Sequence, residues 1–255
     1  MIIPREKIPQ EIQREVRQRC GFGCVICGNP IYDYDHMVNY SVTKRHLASE
    51  LTLLCPNHHR DKTGKRMPLE KVLKANAKPY NLKSNQTSPY YIEQFFGNSG
   101  IIIFGSIGFP FEDRGFGNFM IPLIVDGIPI IKFVLIDNEL FLDFVIFDQR
   151  NVPILIVKRN ELTFKIGFWD ITYIGTTLKI RQGSRNIYLE IDFRAPNTVD
   201  VKRMKLYCNF KEFTINKQGF KYENRKISLH NFSIVAQIGF IVGSNPQNLK
   251  GVFHM

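Results

Sequence analysis

The first pattern of apolar and polar positions along the chain is helical. Residues 9 to 19 carry Ile12 and Val16 four positions apart among charged and amide side chains. That spacing places both apolar side chains on one face of a helix. Pro9 suits the first turn, and Gly21 suits the residue just beyond the last turn. The pattern therefore predicts a short amphipathic helix with a basic outer face.

Two further elements are predicted before residue 80. Between residues 21 and 40, glycines, an Asn29-Pro30 pair and several tyrosines predict a turn followed by a β-hairpin. Residues 56 to about 75 begin with a proline and have helical apolar spacing, with a break predicted at residues 64 to 68. The predicted order of this region is helix, hairpin, helix.

Beyond Gly100 the pattern changes to short apolar or alternating runs rich in β-branched and aromatic residues. Gly, Asn, Asp or Pro separates the runs, which predicts strands joined by turns. The runs cover residues 101–104, 130–136, 154–157, 178–181, 187–193 and 232–238. We find no repeat of fixed period, and both a sandwich and a solenoid-like arrangement stay open.

Composition sharpens this division of the chain. Of the 21 Phe residues, 20 lie after residue 90, as does the only Trp. Residues 76–99 are rich in Asn, Ser and Pro and lack an apolar period, which is typical of a linker. We therefore expect an α+β protein with a small N-terminal module over 1–79, a linker over 80–99 and a larger β-rich domain over 100–255.

The charge of the chain favours an anionic partner. Lys and Arg number 34 against 23 Asp and Glu, for a net charge of +11. Residues 1–80 hold 14 of these cations and 8 of the acids, a net +6 in less than a third of the chain. Nucleic acid is the expected partner. No apolar run approaches the roughly 20 residues of a membrane helix, and no signal-peptide pattern is seen, so we expect a cytoplasmic protein without a membrane partner.

Cysteine and histidine spacing indicates structural zinc. Cys24 and Cys27 are separated by two residues, as are Cys55 and His58, so that two knuckles offer four ligands to one tetrahedral ion. The alternative to a zinc site is that the cysteines are ordinary core thiols and that the histidine caps a helix. Two pairs with the same spacing favour zinc over this alternative. The remaining thiols, Cys20 and Cys208, are expected to be ordinary buried side chains.

Three further ligand-type residues remain once this zinc is satisfied. Asp35 and His36 are neighbours between the knuckles, and His59 follows the last zinc ligand. Neighbours on a strand face opposite ways, so Asp35 and His36 can have different tasks. Neighbours on a helix lie about 100° apart, so His59 can face Asp35 while His58 faces zinc. Surface positions are the simpler explanation for each residue taken singly, but their grouping between the knuckles favours catalysis.

The series Cys-x-x-Cys, Asp-His and Leu-Cys-x-x-His-His followed by Lys resembles the zinc-containing HNH, or ββα-metal, endonucleases over about residues 5 to 78. The resemblance implies a ββα-metal module in which His36 is the general base and Asp35 and His59 bind a catalytic metal. Mg²⁺ or Mn²⁺ is expected there, with Ni²⁺ or Zn²⁺ as alternatives because a ligand is imidazole. The implied reaction is hydrolysis of phosphodiester bonds in DNA, as in restriction or another defence against foreign DNA.

One position departs from the family pattern. Glu50 stands five residues before Cys55, where the family usually has an asparagine that orients the base. A carboxylate can also accept a hydrogen bond from an imidazole, so Glu50 is a candidate catalytic residue that would favour the charged form of His36. If Glu50 points elsewhere, Asn39 or His46 takes the orienting role.

Cations near these motifs are the candidate nucleic-acid contacts. Arg60 and Lys62 are the first expectations, followed by Lys44 and Arg45, although a solvated charged face explains each one singly. In the second half, Trp169 and the basic runs 179–185 and 201–203 could also contact nucleic acid, with a buried Trp and ordinary strand charges as the simpler interpretation.

Two other functions stay open at this stage. The chain can be a zinc-stabilised nucleic-acid-binding protein with an inactive HNH-like module, which Glu50 favours, or a nuclease directed at RNA. The second half has no Cys/His cluster and no glycine-rich phosphate loop, so we expect it to select a target or to regulate. A homodimer is a further expectation, because a double-strand cut by one active site usually requires two copies.

Overall fold

The computed structural model describes residues 6–112, 118–137, 139–222, 232–234 and 238–243. It is mixed but rich in strand, with 49% strand and 18% helix. The expected α+β class with a β-rich larger part is therefore correct. The chain divides into two compact units: unit 1 is Met1–Tyr90 with Lys165–Tyr173, and unit 2 is Tyr91–Phe164 with Ile174–Met255.

Unit 1 contains most of the helices. Its elements are α1 (Gln10–Cys20), β1 (Asp33–His36), α2 (Tyr40–Thr43), a 3₁₀ turn (Ala48–Glu50), β2 (Leu51–Leu54), α3 (Pro56–Thr63), α4 (Leu69–Ala77) and α5 (Tyr80–Ser84). The short strand β3 (Tyr90–Tyr91) lies at the boundary, with Tyr90 in unit 1 and Tyr91 in unit 2. Both predicted helical regions are confirmed, including the break between α3 and α4. Gly21 ends α1 in the left-handed conformation, at φ 70°, as a residue beyond a helix end often does.

The hairpin predicted within residues 21–40 is wrong. That segment contributes only β1, and β1 pairs antiparallel with β2, in the register Asp35 to Thr52 and His36 to Leu51. Tight turns, described below, occupy the residues that a first hairpin strand would need. All four residues of β2 are buried, and its three leucines belong with Val16 of α1 to the unit's apolar core.

The observed units differ from the expected boundaries at residues 79 and 100. Asn81, in the predicted linker, is fully buried and donates from Nδ2 to Gly21 O at 2.8 Å. Segment 165–173 belongs to unit 1, where Arg17 donates from Nε and Nη2 to both oxygens of Asp170, each at 2.8 Å. Burial disfavours the charge on Arg17, but the hydrogen bonds to Asp170 raise its pKa. A buried bidentate ion pair thus joins two segments that are far apart in sequence.

Unit 2 is built from strands. They are β4 (Ser99–Phe104), β5 (Ile107–Glu112), β6 (Phe119–Val125), β7 (Ile128–Ile136), β8 (Glu139–Phe147), β9 (Pro153–Lys158), β10 (Glu161–Phe164), β11 (Asp170–Ile174, which begins in unit 1), β12 (Thr177–Gly183), β13 (Asn186–Arg194), β14 (Thr198–Cys208), β15 (Lys211–Asn216), β16 (Gly219–Tyr222), β17 (Phe232–Ser233) and β18 (Ile238–Val242). Each predicted run has a strand at its position, except that residues 235–237 of the last run lie outside the described residues.

These strands form a curled sheet whose neighbours are mainly antiparallel. Successive strands pair as hairpins, as β6–β7–β8–β9 and β12–β13–β14–β15–β16 do. On β8 every second side chain is buried, which is the two-residue period of a strand with one face on a core. The sequence left both a sandwich and a solenoid-like arrangement open for this region. The structure has a curled sheet there.

Large aromatic side chains fill the core of unit 2. Phe104, Phe109, Phe133, Phe193 and Phe213 are fully buried. Phe rings pack edge to face, as Phe104 and Phe109 do at 5.5 Å between ring centroids. Cys208, like Cys20 in unit 1, is a buried free thiol, as expected. Among the described residues, no helix is long and apolar enough to span a bilayer.

Candidate metal centre and catalytic site

Cys24, Cys27, Cys55 and His58 form a cluster, the Cys/His cluster, whose ligand atoms all lie within 4.8 Å of one another. The Sγ atoms of Cys27 and Cys55 are 3.8 Å apart. His58 Nδ1 lies 3.4 Å from Cys24 Sγ and 3.2 Å from Cys55 Sγ. Around tetrahedral zinc, two sulfurs are about 3.8 Å apart, and a sulfur and a nitrogen are about 3.5 Å apart. The cluster can therefore hold a metal ion such as zinc.

Local backbone structure brings the four ligands together. Gly28 N donates to Cys24 O at 2.8 Å, which closes the turn that carries Cys24 and Cys27. Gly28 has φ 77°, a conformation that glycine adopts without strain. The second pair starts where β2 ends, because Cys55 is the N-cap of α3 and His58 lies in its first turn. One turn and one helix start are thus sufficient to build the site.

Hydrogen bonding and burial shift the pKa values of the cluster's thiols in opposite directions. A hydrogen bond from the Cys27 thiol lowers the pKa of Cys24 to about 4, against the opposing effect of burial. Burial, the largest influence on Cys55, raises the pKa of that thiol. Zinc binds thiolates, so its binding would release the remaining protons and remove the cost of burying unpaired thiolates. The donor set therefore fits structural zinc.

A second cluster joins β1 to the start of α3. His59 Nε2 lies 3.4 Å from Asp35 Oδ1, and His59 Nδ1 lies 3.4 Å from Asp33 Oδ2. Asp35 is buried, and Asp33 is largely exposed. The neighbouring residues His58 and His59 thus face two different clusters from the same helix turn. Asp33 was not among the predicted site residues, and its position two residues before Asp35 on the same strand face was the signal for it.

His36 is buried beside Asp35 and contacts a second histidine. His36 Nε2 lies 3.1 Å from His46 Nδ1, and His46 Nε2 lies 2.9 Å from the backbone oxygen of Glu6. Tyr40 stacks on the His46 ring at 4.8 Å between centroids and meets the His36 ring edge on at 5.2 Å. The two imidazoles are therefore held by a chain of contacts that ends on the backbone.

Of the three alternatives for orienting His36, the structure places the Glu50 carboxylate on Arg45. Glu50 Oε1 accepts from Arg45 Nη2 at 2.5 Å, and Glu50 Oε2 has no hydrogen-bond partner among the described residues. Asn39, the second alternative, uses its side chain to cap α2 by accepting from Ser41 N. His46, the third alternative, is the residue that contacts the His36 ring. Glu50 instead contributes its backbone oxygen, which accepts from Met37 N at 2.8 Å.

The Lys62 side chain, predicted to contact phosphate, is bound to Asp35 in this structure. Its Nζ atom donates to Asp35 Oδ2 and to the backbone oxygen of His36, each at 2.6 Å. Lys62 lies one turn after His59 on α3, so both side chains reach the carboxylate of Asp35 from one helix face. In this structure an ammonium group therefore neutralises the carboxylate that the resemblance assigns to a divalent ion.

The cluster lies in an open cleft of about 690 Å³. Asp35, His36, His59 and Lys62 line it, together with exposed Lys65. The predicted nucleic-acid residues Arg60, Lys44 and Arg45 are exposed but do not line this cleft, and Arg45 is paired with Glu50. The cleft is wide enough to admit a phosphodiester group, and the partly exposed His59 ring lies in it beside buried Asp35 and His36.

The chain matches no protein family model, no curated protein and no solved structure. Any function must therefore be argued from the site itself. One of its features was not visible in the sequence: the Arg17–Asp170 pair, in which Arg17 also donates from Nη1 to the Tyr34 hydroxyl of β1. This pair depends on a contact between segments that have no common motif.

Proposed function

We propose that this chain is a metal-dependent HNH endonuclease that hydrolyses phosphodiester bonds in DNA. The observation that carries the proposal is the meeting of Asp35, His36 and His59 in one open cleft, directly beside a Cys/His cluster suited to zinc. Two antiparallel strands followed by a helix supply all three residues, which is the order of a ββα-metal module. The cationic N-terminal region supports a polyanionic substrate.

His36 acts as the general base in this proposal. The Glu6 carbonyl can only accept, so His46 carries its proton on Nε2 and presents a lone pair at Nδ1. His36 then donates from Nε2 to His46, which leaves the basic lone pair of His36 on Nδ1. At that atom His36 removes a proton from the attacking water. His46 is thus a positioning residue that fixes the tautomer of the base.

Asp35 and His59 would hold the divalent ion. Carboxylate and imidazole together suit Mg²⁺, Mn²⁺ or Zn²⁺. A bound divalent ion neutralises the charge that develops on the phosphate and on the leaving oxygen. Asp33, at His59 Nδ1, is placed to orient the imidazole so that Nε2 faces Asp35, as carboxylates behind metal-binding histidines do. Lys62 must leave Asp35 Oδ2 or share it for the ion to bind.

The test is cleavage of supercoiled plasmid by the full chain with added Mg²⁺ or Mn²⁺. We expect nicking or linearisation that is lost when the divalent ion is omitted, when EDTA is added, and in His36→Ala. Loss of a positioned general base lowers the rate by about 10²- to 10⁴-fold. Zinc analysis must show that His36→Ala keeps its zinc, since EDTA can remove both metals while omission of Mg²⁺ spares the structural one.

A matched pair of variants controls for lost charge. Asp35→Asn removes a carboxylate of β1 from the cleft, whereas Asp61→Asn removes a carboxylate of α3 that lies outside the cleft and is ion-paired with Arg66 at 2.9 Å. We expect Asp35→Asn to abolish cleavage and Asp61→Asn to leave it within about twofold, as for surface substitutions. Equal activity of both variants would contradict the proposal. RNA of the same sequence is tested as the competing substrate. Faster cleavage of RNA than of DNA would change the proposed substrate from DNA to RNA.

One observation favours a second function, a zinc-stabilised nucleic-acid-binding protein without catalysis. Lys62 already supplies the positive charge at Asp35 that a divalent ion would supply. If Lys62 is a permanent replacement for the ion, the wild-type protein and His36→Ala bind DNA equally and neither cleaves it. The plasmid assay and a binding assay together separate the two functions.

A further inference from the structure

A cleft in unit 2 differs from the sheet around it in its charge. It has a volume of about 340 Å³ and lies where β14 runs between β13 and β15. Its ionisable lining residues are Arg203, Lys205 and Lys217, all cations, and the described lining contains no carboxylate. Thr214, Asn216 and Gln218 add polar groups. We call this set of six residues the basic cleft.

The two-residue period of β14 creates this surface. Arg203 and Lys205 alternate with Met204 and Leu206, which are buried in the core. Side chains two residues apart share a face and are separated by about 6.6 Å along the strand. Lys205 pairs in register with Thr214 of β15, and Lys217 follows at the end of that strand. Both cations of β14 therefore point to the side on which Lys217 closes the cleft.

Little of this charge is neutralised within the protein. Glu190 is the carboxylate near Arg203, at 4.0 Å, and it is already bound more closely by Lys179, at 2.9 Å. The Arg203 side chain is 51% exposed. Within the described part of the chain, Lys205 and Lys217 form no ion pair. Three neighbouring cations that share one distant carboxylate, Glu190, repel one another, and a polyanion would relieve that repulsion.

We propose that the basic cleft binds the sugar–phosphate backbone of duplex DNA. Arg203 can donate two hydrogen bonds to one phosphate, and the lysines supply point charges for neighbouring phosphates. Thr, Asn and Gln side chains are common donors to phosphate and sugar oxygens. These contacts recognise the backbone rather than the bases. Unit 2 thereby has a DNA contact of its own, which goes beyond the cleavage proposed for unit 1.

The test measures DNA binding by the full chain carrying His36→Ala, in buffer without divalent ions, so that cleavage plays no part. Fluorescence anisotropy with a short duplex gives the affinity over a range of salt concentrations. Replacement of Arg203, Lys205 and Lys217 by Gln should weaken binding at least tenfold at low salt. It should also reduce the slope of log affinity against log salt by about 2 to 3, or roughly 0.9 for each lost phosphate contact.

A second triple variant provides the matched control. Arg150→Gln, Lys158→Gln and Arg159→Gln remove the same charge from exposed positions of unit 2 outside the cleft. We expect the control to keep the wild-type slope and both triples to keep the wild-type melting temperature. An unchanged slope in the cleft variant, or an equal loss in the control, would overturn the proposal. Tighter binding of duplex RNA or of anionic lipid vesicles than of DNA would overturn the choice of ligand.

The outcome is independent of the proposed nuclease activity. A protein that cleaves no DNA can still lose binding through the cleft triple, and a protein that cleaves DNA can bind it without the cleft. The plasmid assay with Asp35→Asn therefore fails or succeeds separately from this one.

Discussion

The interiors of the two units differ in how many polar side chains they bury. Among the described residues, seven of the nine buried polar or charged side chains lie in unit 1, namely Arg17, Asp35, His36, Thr52, Asn81, Thr87 and Asp170, and two lie in unit 2, Asn160 and Asp192. Unit 2 instead buries its Phe rings completely. Burying a polar group costs free energy unless it is hydrogen-bonded, so unit 1 depends on specific partners where unit 2 depends on apolar area.

This difference is consistent with the proposal that the chemistry lies in unit 1. The buried polar groups of unit 1 include Asp35 and His36, two of the three residues proposed to act in catalysis. The proposed functional group of unit 2, the basic cleft, lies instead at its surface. Experiments can test this contrast between the units, because the units should respond differently to loss of metal, to loss of an ion pair and to loss of a hydrogen bond.

Removal of the metal should have the largest effect. Structural zinc contributes about 10–16 kcal/mol to small zinc-dependent folds, more than most domains have in total stability. We expect chelation, or Cys55→Ser, to abolish hydrogen-exchange protection over α1, β1, β2 and α3 and to leave β6 to β8 protected. The control is Cys208→Ser, which replaces a buried thiol of unit 2 outside the cluster. If the amides of α3 stay protected from hydrogen exchange after zinc is removed, unit 1 does not depend on metal and the proposed distinction between the units is wrong.

The ion pair of Arg17 with Asp170 should have the next largest effect. Asp170→Ala leaves the buried guanidinium without its bidentate partner, and breaking such a pair costs about 3–5 kcal/mol. Urea unfolding should show this loss in the transition of unit 1. The control is Arg150→Ala, which removes the exposed side chain paired with Asp148 at 3.3 Å and should cost less than about 1 kcal/mol. Equal effects of the two variants would show that segment 165–173 does not stabilise unit 1.

Sequence patterns predicted the parts of the molecule that short segments determine. The two knuckles, the helices at residues 10–20 and 56–77 and the strand positions of unit 2 depend on spacings within about ten residues, and the structure has them. Contacts between distant segments were not predictable in this way. The partner of β1 and the place of Asp170 arise from packing, and no local pattern encodes them. The contact of His46 with His36 was one of three alternatives that the sequence left open.

The position of the Glu50 side chain on Arg45 has the same origin. A family position suggested a partner for His36, but the chain between β1 and β2 folds so that Glu50 faces Arg45 and His46 faces His36. Which side chain of that connection reaches the base is decided by the path of α2 and the 3₁₀ turn. That path has no signature in the spacing of residues 37–50.

The smallest effect is expected for the hydrogen bond between the two imidazoles. His46→Leu removes the ring nitrogen that lies 3.1 Å from His36 Nε2, so in the proposed mechanism His36 is no longer held in one tautomer. We expect kcat for plasmid cleavage to fall by about 10- to 100-fold with little change in KM, a part of what a positioned base contributes. His46→Gln should restore most of the rate, since its amide can accept from His36 and donate to the Glu6 carbonyl.

Nitrogen NMR of the His36 ring separates positioning from simple structural support. In the wild-type protein and in His46→Gln, the proton should reside on Nε2, whereas His46→Leu should show a mixture of tautomers while its zinc content and melting temperature stay unchanged. A single Nε2–H tautomer in His46→Leu would mean that another contact orients the base. Because this readout needs no cleavage, it tests the polar interior of unit 1 even in a protein that only binds DNA.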